Sequence, residues 1–222
     1  MKPFSFILLI AAFFTSCEFT DGNIDGKTVK EELRHRRIQR LTEGEILEKA
    51  MQMGDEITSN AQKTLITQLS AALAKGGTEY AIPFCKLSAL NILDSLGKPY
   101  QATIRRVSHK ARNPIDKPDT VEAVYLDGYL YNLEQNLPLD PNVQVLRSTQ
   151  EVLYTAPIML SAPLCLQCHG NPETEINTAT LALLKTNYPQ DQAIGFKLNE
   201  FRGMWSITMS RKELVMSMQK KK

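Results

Sequence analysis

Cysteine is scarce: four in 222 residues cannot staple a small disulfide scaffold, so an apolar core has to hold the fold. Nowhere do ~18 apolar residues run together, the length that a bilayer-crossing helix needs. Gly and Pro, at 11 each, are too sparse for a collagen-like or low-complexity chain. An excess of charge is missing too. The 26 Lys+Arg and 24 Asp+Glu leave +2, which argues against binding nucleic acid by bulk attraction, and no nucleic-acid partner is expected. What is present, 43% apolar and 23% charged residues, is the make-up of an ordinary globular chain. Composition alone gives no function.

The N-terminus reads as an address. Lys2 precedes an apolar stretch, Phe4 to Phe14, too short to span a membrane and suited to a signal segment. It ends Phe14-Thr15-Ser16-Cys17, which resembles a lipoprotein cleavage box, so residues 1–16 read as a lipoprotein signal peptide and Cys17 as the lipidated residue. The plainer alternative is an ordinary cleaved signal with an incidental cysteine. Either way the chain is exported, and lipidation would tether it to the bacterial cell envelope, periplasm-facing or at the surface. Residues 17–26 are polar, acidic and interrupted by Gly22 and Gly26, as a flexible tether would be.

From 27 to 75 helix-forming residues dominate without a proline. Ile46, Leu47, Ala50, Met51, Met53, Ile57, Ala61, Leu65, Ile66 and Leu69 recur at helical spacing and form one apolar stripe. Gly44 and Gly54 predict a bend or break near one of them. The basic run Arg34 to Arg37 with Arg40 reads as a solvated face or, more sharply, as a lipid-headgroup contact. Gly76-Gly77 closes this helix, and Thr78 caps a second one reaching about Ser95, with Cys85 inside it. Residues 100–107, 144–146, 151–157 and 203–209 read as short strands, and 120–132 as a helix behind a turn-rich loop at 112–119. Helix first and strands later predicts an α+β fold, an antiparallel sheet backed by helices, with the second domain-like stretch at 76–215.

Residues 165–169 read Cys-Leu-Gln-Cys-His, the attachment signature of a c-type haem. Cys165 and Cys168 can add across the two porphyrin vinyl groups, and His169 then brings an imidazole nitrogen to the iron. Three plainer readings compete. A thioredoxin-like CxxC opens a helix after an early strand, and this one comes late. A zinc site needs four ligands, and no second CxxC or paired-His run exists. A Cys165–Cys168 disulfide would close a very small loop and stabilise little. Haem c is attached outside the inner membrane, where the signal segment sends the chain, so two unconnected features agree on one covalent haem. For the second axial position the candidates are Cys85, His35, His109 and several Met; on chemistry alone Cys85 is more simply a small buried hydrophobe.

A wider pattern surrounds these residues. Cys85-Lys86 lies in its helix, Arg105-Arg106-Val107-Ser108 leads to Arg112-Asn113-Pro114, and Pro118-Asp119 precedes Glu122. Beyond Cys168-His169-Gly170-Asn171-Pro172 come Tyr188-Pro189, Asp191, Ala193, Gly195-Phe196 and Arg202-Gly203-Met204-Trp205. Over about residues 45–210 the chain resembles the single-haem, PAS-like sensor domain family first recognised in a cyanobacterial c-type cytochrome, departing from it at Val121, where that family commonly carries Trp. The resemblance implies a PAS-like antiparallel sheet flanked by helices, with a long N-terminal helix. It also implies one covalent haem c with His169 as proximal and Cys85 as distal ligand. Charge then suggests Arg112 or Arg105 as partners of the propionates.

A thiolate that leaves the iron on reduction would open a site for NO or CO, which makes a redox or gas sensor. The rival function is periplasmic electron transfer with fixed ligands. A peroxidase-like enzyme would need an open iron position and a distal acid–base group, with only His109 available, so no catalytic residue is expected. With no output domain of its own in sight, a sensor of this kind would report to a separate membrane protein, and a carrier to a redox partner.

Overall fold

The computed structural model describes residues 25–27, 29 and 41–219. Contacts divide the chain between Arg40 and Leu41. In the first unit Asp25 accepts from the backbone N–H groups of Lys27 and Val29. Cys17, the signal segment and the basic run from Arg34 to Arg40 lie outside the described residues. Everything below belongs to the second unit.

Helix α1 runs Glu43–Gly97. Thr42 starts it with a capping box: its hydroxyl accepts from the Glu45 N–H and the Glu45 carboxylate accepts from the Thr42 N–H, an arrangement contributing about 1 kcal/mol. The expected break at Gly76-Gly77 is there. Gly77 takes φ +61°, which only glycine adopts without strain, and the helix resumes at Thr78 on a new course. No break occurs at Gly54. That glycine is helical, and a Cβ on it would sit 2.2 Å from the Tyr154 ring, so it is there for close approach and not for bending. Among the described residues no helix is long and apolar enough to cross a membrane.

The remaining elements are β1 (Ala102–Val107), α2 (Thr120–Glu134), β2 (Asn142–Leu146), β3 (Glu151–Met159), α3 (Pro163–His169), α4 (Thr178–Asn187), β4 (Phe201–Ser210) and α5 (Arg211–Gln219). The four strands form one antiparallel sheet in the order β1-β4-β3-β2. The fold is therefore α+β, an antiparallel sheet flanked by helices with a long N-terminal helix, as expected.

Register sorts the side chains by face. Ile104, Ile207, Tyr154 and Val143 align across the four strands, and Arg106, Trp205 and Ala156 form the next row on the same face. Ile46, Ala50, Ile57 and Ala61 of α1 cover that face, and burying each large aliphatic side chain there contributes about 1.5–3 kcal/mol. The other face carries Val107 and Met204, which pack with Leu126 and Tyr129 of α2. The Tyr129 hydroxyl reaches the buried Thr155 at 3.1 Å. The second half of α1 packs against α4 through Ile82 and Leu184, and the Thr78 and Thr180 hydroxyls meet at 2.6 Å.

Candidate functional site

The CxxCH run is helical. Pro163 opens α3 with a fixed φ and no N–H to satisfy, and Gly170 ends it with its N–H donating to Leu166 O at 2.9 Å. On a helix, positions i, i+3 and i+4 share a face, so Cys165, Cys168 and His169 all project from one side. All three cysteines here, Cys85 included, are free and partly buried.

The loop before β4 fixes the histidine. Phe196 N–H donates to His169 O at 2.9 Å and Gly195 N–H to Gly170 O at 2.8 Å, so the loop lies against the end of α3. His169 Nδ1 donates to Ala193 O at 2.7 Å, which leaves Nε2 with the free lone pair. Burial, with Arg112 and Arg202 nearby, holds the imidazole well below its ordinary pKa, so at neutral pH the ring is uncharged. Phe196 meets it edge-on with centroids 6.3 Å apart.

Arg112 ties the pieces together. Its Nε donates to Asp191 Oδ2 at 3.0 Å, and one terminal nitrogen donates to both Ala193 O and Cys168 O. Asp191 in turn accepts from Ala193 N–H at 2.7 Å. One guanidinium thus binds the cysteine helix and the loop that orients the histidine. The same arginine faces Cys85. Burial pushes the Cys85 thiol up while Arg106 and Arg112 pull it down, and Cys168, itself raised by burial, also feels Cys85. Cys85 and Cys168 therefore share one charged neighbourhood. Tyr188 borders it: the ring packs with Ile82, one turn before Cys85, and its hydroxyl is pushed up to about 12, chiefly by burial.

Arg105 is a correction. It does not turn toward this neighbourhood. The pleat sends it to the α2 face, where Nη1 meets the buried Glu122 at 2.6 Å and Nη2 donates to the carbonyls of Ile115 and Lys117. Its work is to hold the turn at Pro114–Asp116 against the start of α2, and the expected propionate role falls away. Its neighbour Arg106 faces the Cys85 side. Sequence reasoning named no role for Arg106 or for Arg202, although an arginine next to a glycine ahead of an apolar strand was the available signal.

Arg202 is the odd residue of the neighbourhood. Its Nε is buried and has no hydrogen-bond partner among the described residues, while its Cζ lies 5.2 Å from the Phe196 centroid. Lys110 Nζ lies 5.1 Å from the same ring centroid. Elsewhere, His109 Nε2 pairs with Asp127 at 2.6 Å on an exposed surface. Val121 is exposed in the first turn of α2.

A family profile described as Tll0287-like matches residues 35–210. The chain belongs to the Tll0287-like family. Among solved structures it is similar to the cyanobacterial heme-protein Tll0287, with a TM-score of 0.53 and 22% identity over 72% of this chain and 94% of that one. No curated protein matches it. The Tll0287-like match begins upstream of residue 45 and takes in nearly the whole of the described unit.

Membership relates this chain to a haem protein, and the residues present fit that group. A Tll0287-like chain with two free thiols and an imidazole on one helix face, a third thiol within electrostatic reach, and a guanidinium whose buried Nε has no hydrogen-bond partner offers thioether, axial and carboxylate partners together. It offers a bare ion less: among the described residues no three His, Cys, Asp or Glu are placed to hold one.

Proposed function

We propose that this is an exported, lipid-anchored protein carrying one covalent haem c and acting as a redox or gas sensor. Cys165 and Cys168 supply the thioethers, His169 and Cys85 the axial ligands, and Cys17 the lipid anchor. The observation that carries this reading is the Nδ1–H bond from His169 to Ala193 O, which aims Nε2 outward beside two thiols on the same helix face. Such a haem supplies one-electron chemistry and, at a vacant axial position, binding of NO or CO.

The chain's own part is to hold or release a sulfur. As thiolate, Cys85 favours the ferric charge. Were a haem held here and reduced by one electron, Cys85 would bind it less firmly, and on release would take up one proton and stand as a thiol. Cys85 lies on the second half of α1, behind the Gly76-Gly77 break, so its release acts on a segment with its own course. Among the described residues His109, the acid–base candidate, is engaged with Asp127 on an exposed surface. A separate membrane protein would receive the signal.

The test is maturation with the haem-attachment machinery, then mass, absorption and EPR spectra of wild type and Cys85→Ala. One haem mass on the peptide 163–172, a low-spin thiolate signal in the ferric wild type and its loss in the variant support the reading. Thiolate retained in both redox states, with no entry of CO, turns the function to periplasmic electron transfer. No haem mass removes the proposal.

A further inference from the structure

Between Ile158 and Met159 the β3–β4 register slips: Ile158 faces Gly203 and Met159 faces Phe201, so Arg202 is the extra residue of a β-bulge. Bulges re-aim a side chain away from its place in the ladder, and they cluster beside functional sites. Here the bulge is fixed from below by Ser108, whose hydroxyl donates to Arg202 O at 2.8 Å. The redirected guanidinium lies on Phe196, the ring that meets His169.

The charge balance around it is one-sided. Arg202, Arg112 and Arg106 all lie within electrostatic reach of His169, and burial and the other two arginines bring Arg202 down to about 10. Against them stand Asp191, already bonded to Arg112, and Asp116, whose carboxyl burial pushes upward. Lys110 adds a further cation over Phe196. A buried guanidinium nitrogen left without an acceptor costs stability comparable to a lost charged hydrogen bond. A carboxylate seated here would offset it, and guanidinium is suited to take that carboxylate in a two-pronged hydrogen bond.

We infer that Arg202, presented by the bulge and assisted by Arg106, is the anchor of a porphyrin propionate. This rests on the haem reading above and extends it to residues that reading does not use. A free carboxylate from solution has the same chemistry, and the experiment separates the two sources.

The measurement is the midpoint potential of the matured wild type, Arg202→Gln, Arg202→Lys and Arg106→Gln between pH 5 and 9, with haem content checked by mass. An ionised propionate held by Arg202 leaves the wild type with only the slope of the one proton that Cys85 takes up on reduction, insensitive to added acetate. In Arg202→Gln the potential falls at pH 8 and climbs more steeply than the wild type's as the pH drops, because the buried propionate, deprived of its cation, now takes up a proton. Arg202→Lys restores most of the wild-type profile. Arg106→Gln, at an exposed position, shifts the potential the same way by less and serves if the Gln variant at 202 fails to mature. Profiles of haem-loaded variants that superimpose on the wild type overturn the propionate assignment alone. A wild-type potential that follows acetate concentration, lost in the variants, assigns the site to a free anion and overturns it as well. Wild type without covalent haem overturns both this and the reading beneath it.

Discussion

Arg112 shows how much of the site hangs on one side chain. It is 14% exposed and its partner Asp191 is 10% exposed, so Arg112→Gln leaves a largely desolvated carboxylate without its cation. Breaking a buried pair in this way costs about 3–5 kcal/mol, and urea denaturation should show a loss in that range. The same change frees Ala193 O and Cys168 O from the guanidinium, so His169 should lose orientation along with stability. Asp116 gives a prediction of opposite sign. Burial raises its folded-state pKa above the unfolded value, despite Arg106, Arg202 and Arg105. A raised carboxyl binds its proton more tightly in the folded state, so the stability it contributes is present at low pH and is lost as the pH rises through the folded value. Asp116→Asn should therefore stabilise the protein at pH 7 and flatten its stability between pH 4 and 7, as read by denaturation at the two pH values. At this scale the sequence was legible where covalent chemistry dictates spacing, as in Cys165, Cys168 and His169. It was not legible for Arg105 against Arg106, because which of two adjacent arginines faces the site depends on the pleat of a strand whose register only the partner strand sets.

The elements were read to the extent that they are periodic. The apolar stripe from Ile46 to Ala61, the Gly76-Gly77 stop and four short strands all stand in the structure close to where alternation and turn residues placed them. Helix α3 escaped because seven residues give no periodic signal, and its start rests on Pro163 with no side-chain cap. Helices α4 and α5 were missed for a related reason: they are short, and their place is set by packing on α1 and on the sheet. Gly54 was misread because glycine in a helix signals flexibility in isolation and close approach only when the partner ring is known. Gly54→Ala separates the two meanings. If the glycine merely weakened the helix, alanine would stabilise it by about 1 kcal/mol. With Tyr154 carbons 2.2–2.6 Å from the new Cβ, and that ring held by its hydroxyl bond to Asp55 at 2.7 Å, overpacking should win and cost about 1–3 kcal/mol in a thermal melt. Gly77→Ala tests the break in the other direction. Nothing crowds the added Cβ, so only the φ of +61° opposes it, at about 1–2 kcal/mol.

For the whole molecule the question is where a change at Cys85 would go. Helix α1 serves two masters: its first half covers the sheet through Ile46, Ala50, Ile57 and Ala61, and its second half carries Cys85 and leans on α4. The glycine break lets those halves respond separately, since no helical hydrogen-bond ladder runs unbroken across it. A fixed-ligand electron carrier has no use for that separation, whereas a switch does. If Cys85 leaves on reduction, residues 78–97 lose a covalent tether to the buried site and keep the Ile82–Leu184 cluster, the Thr78–Thr180 hydroxyl pair at 2.6 Å and, near the C-terminal end, Leu93 in the sheet core. Local opening then becomes easier for that segment without unfolding the sheet. Hydrogen exchange followed by mass spectrometry, in the ferric and the ferrous protein, should show faster exchange in 78–97 on reduction while 43–75 and β1 to β4 stay unchanged. In Cys85→Ala the segment should exchange at the faster rate in both redox states. Equal protection of 78–97 in the two states of the wild type would mean that the sulfur stays bound, and the protein would then be an electron carrier.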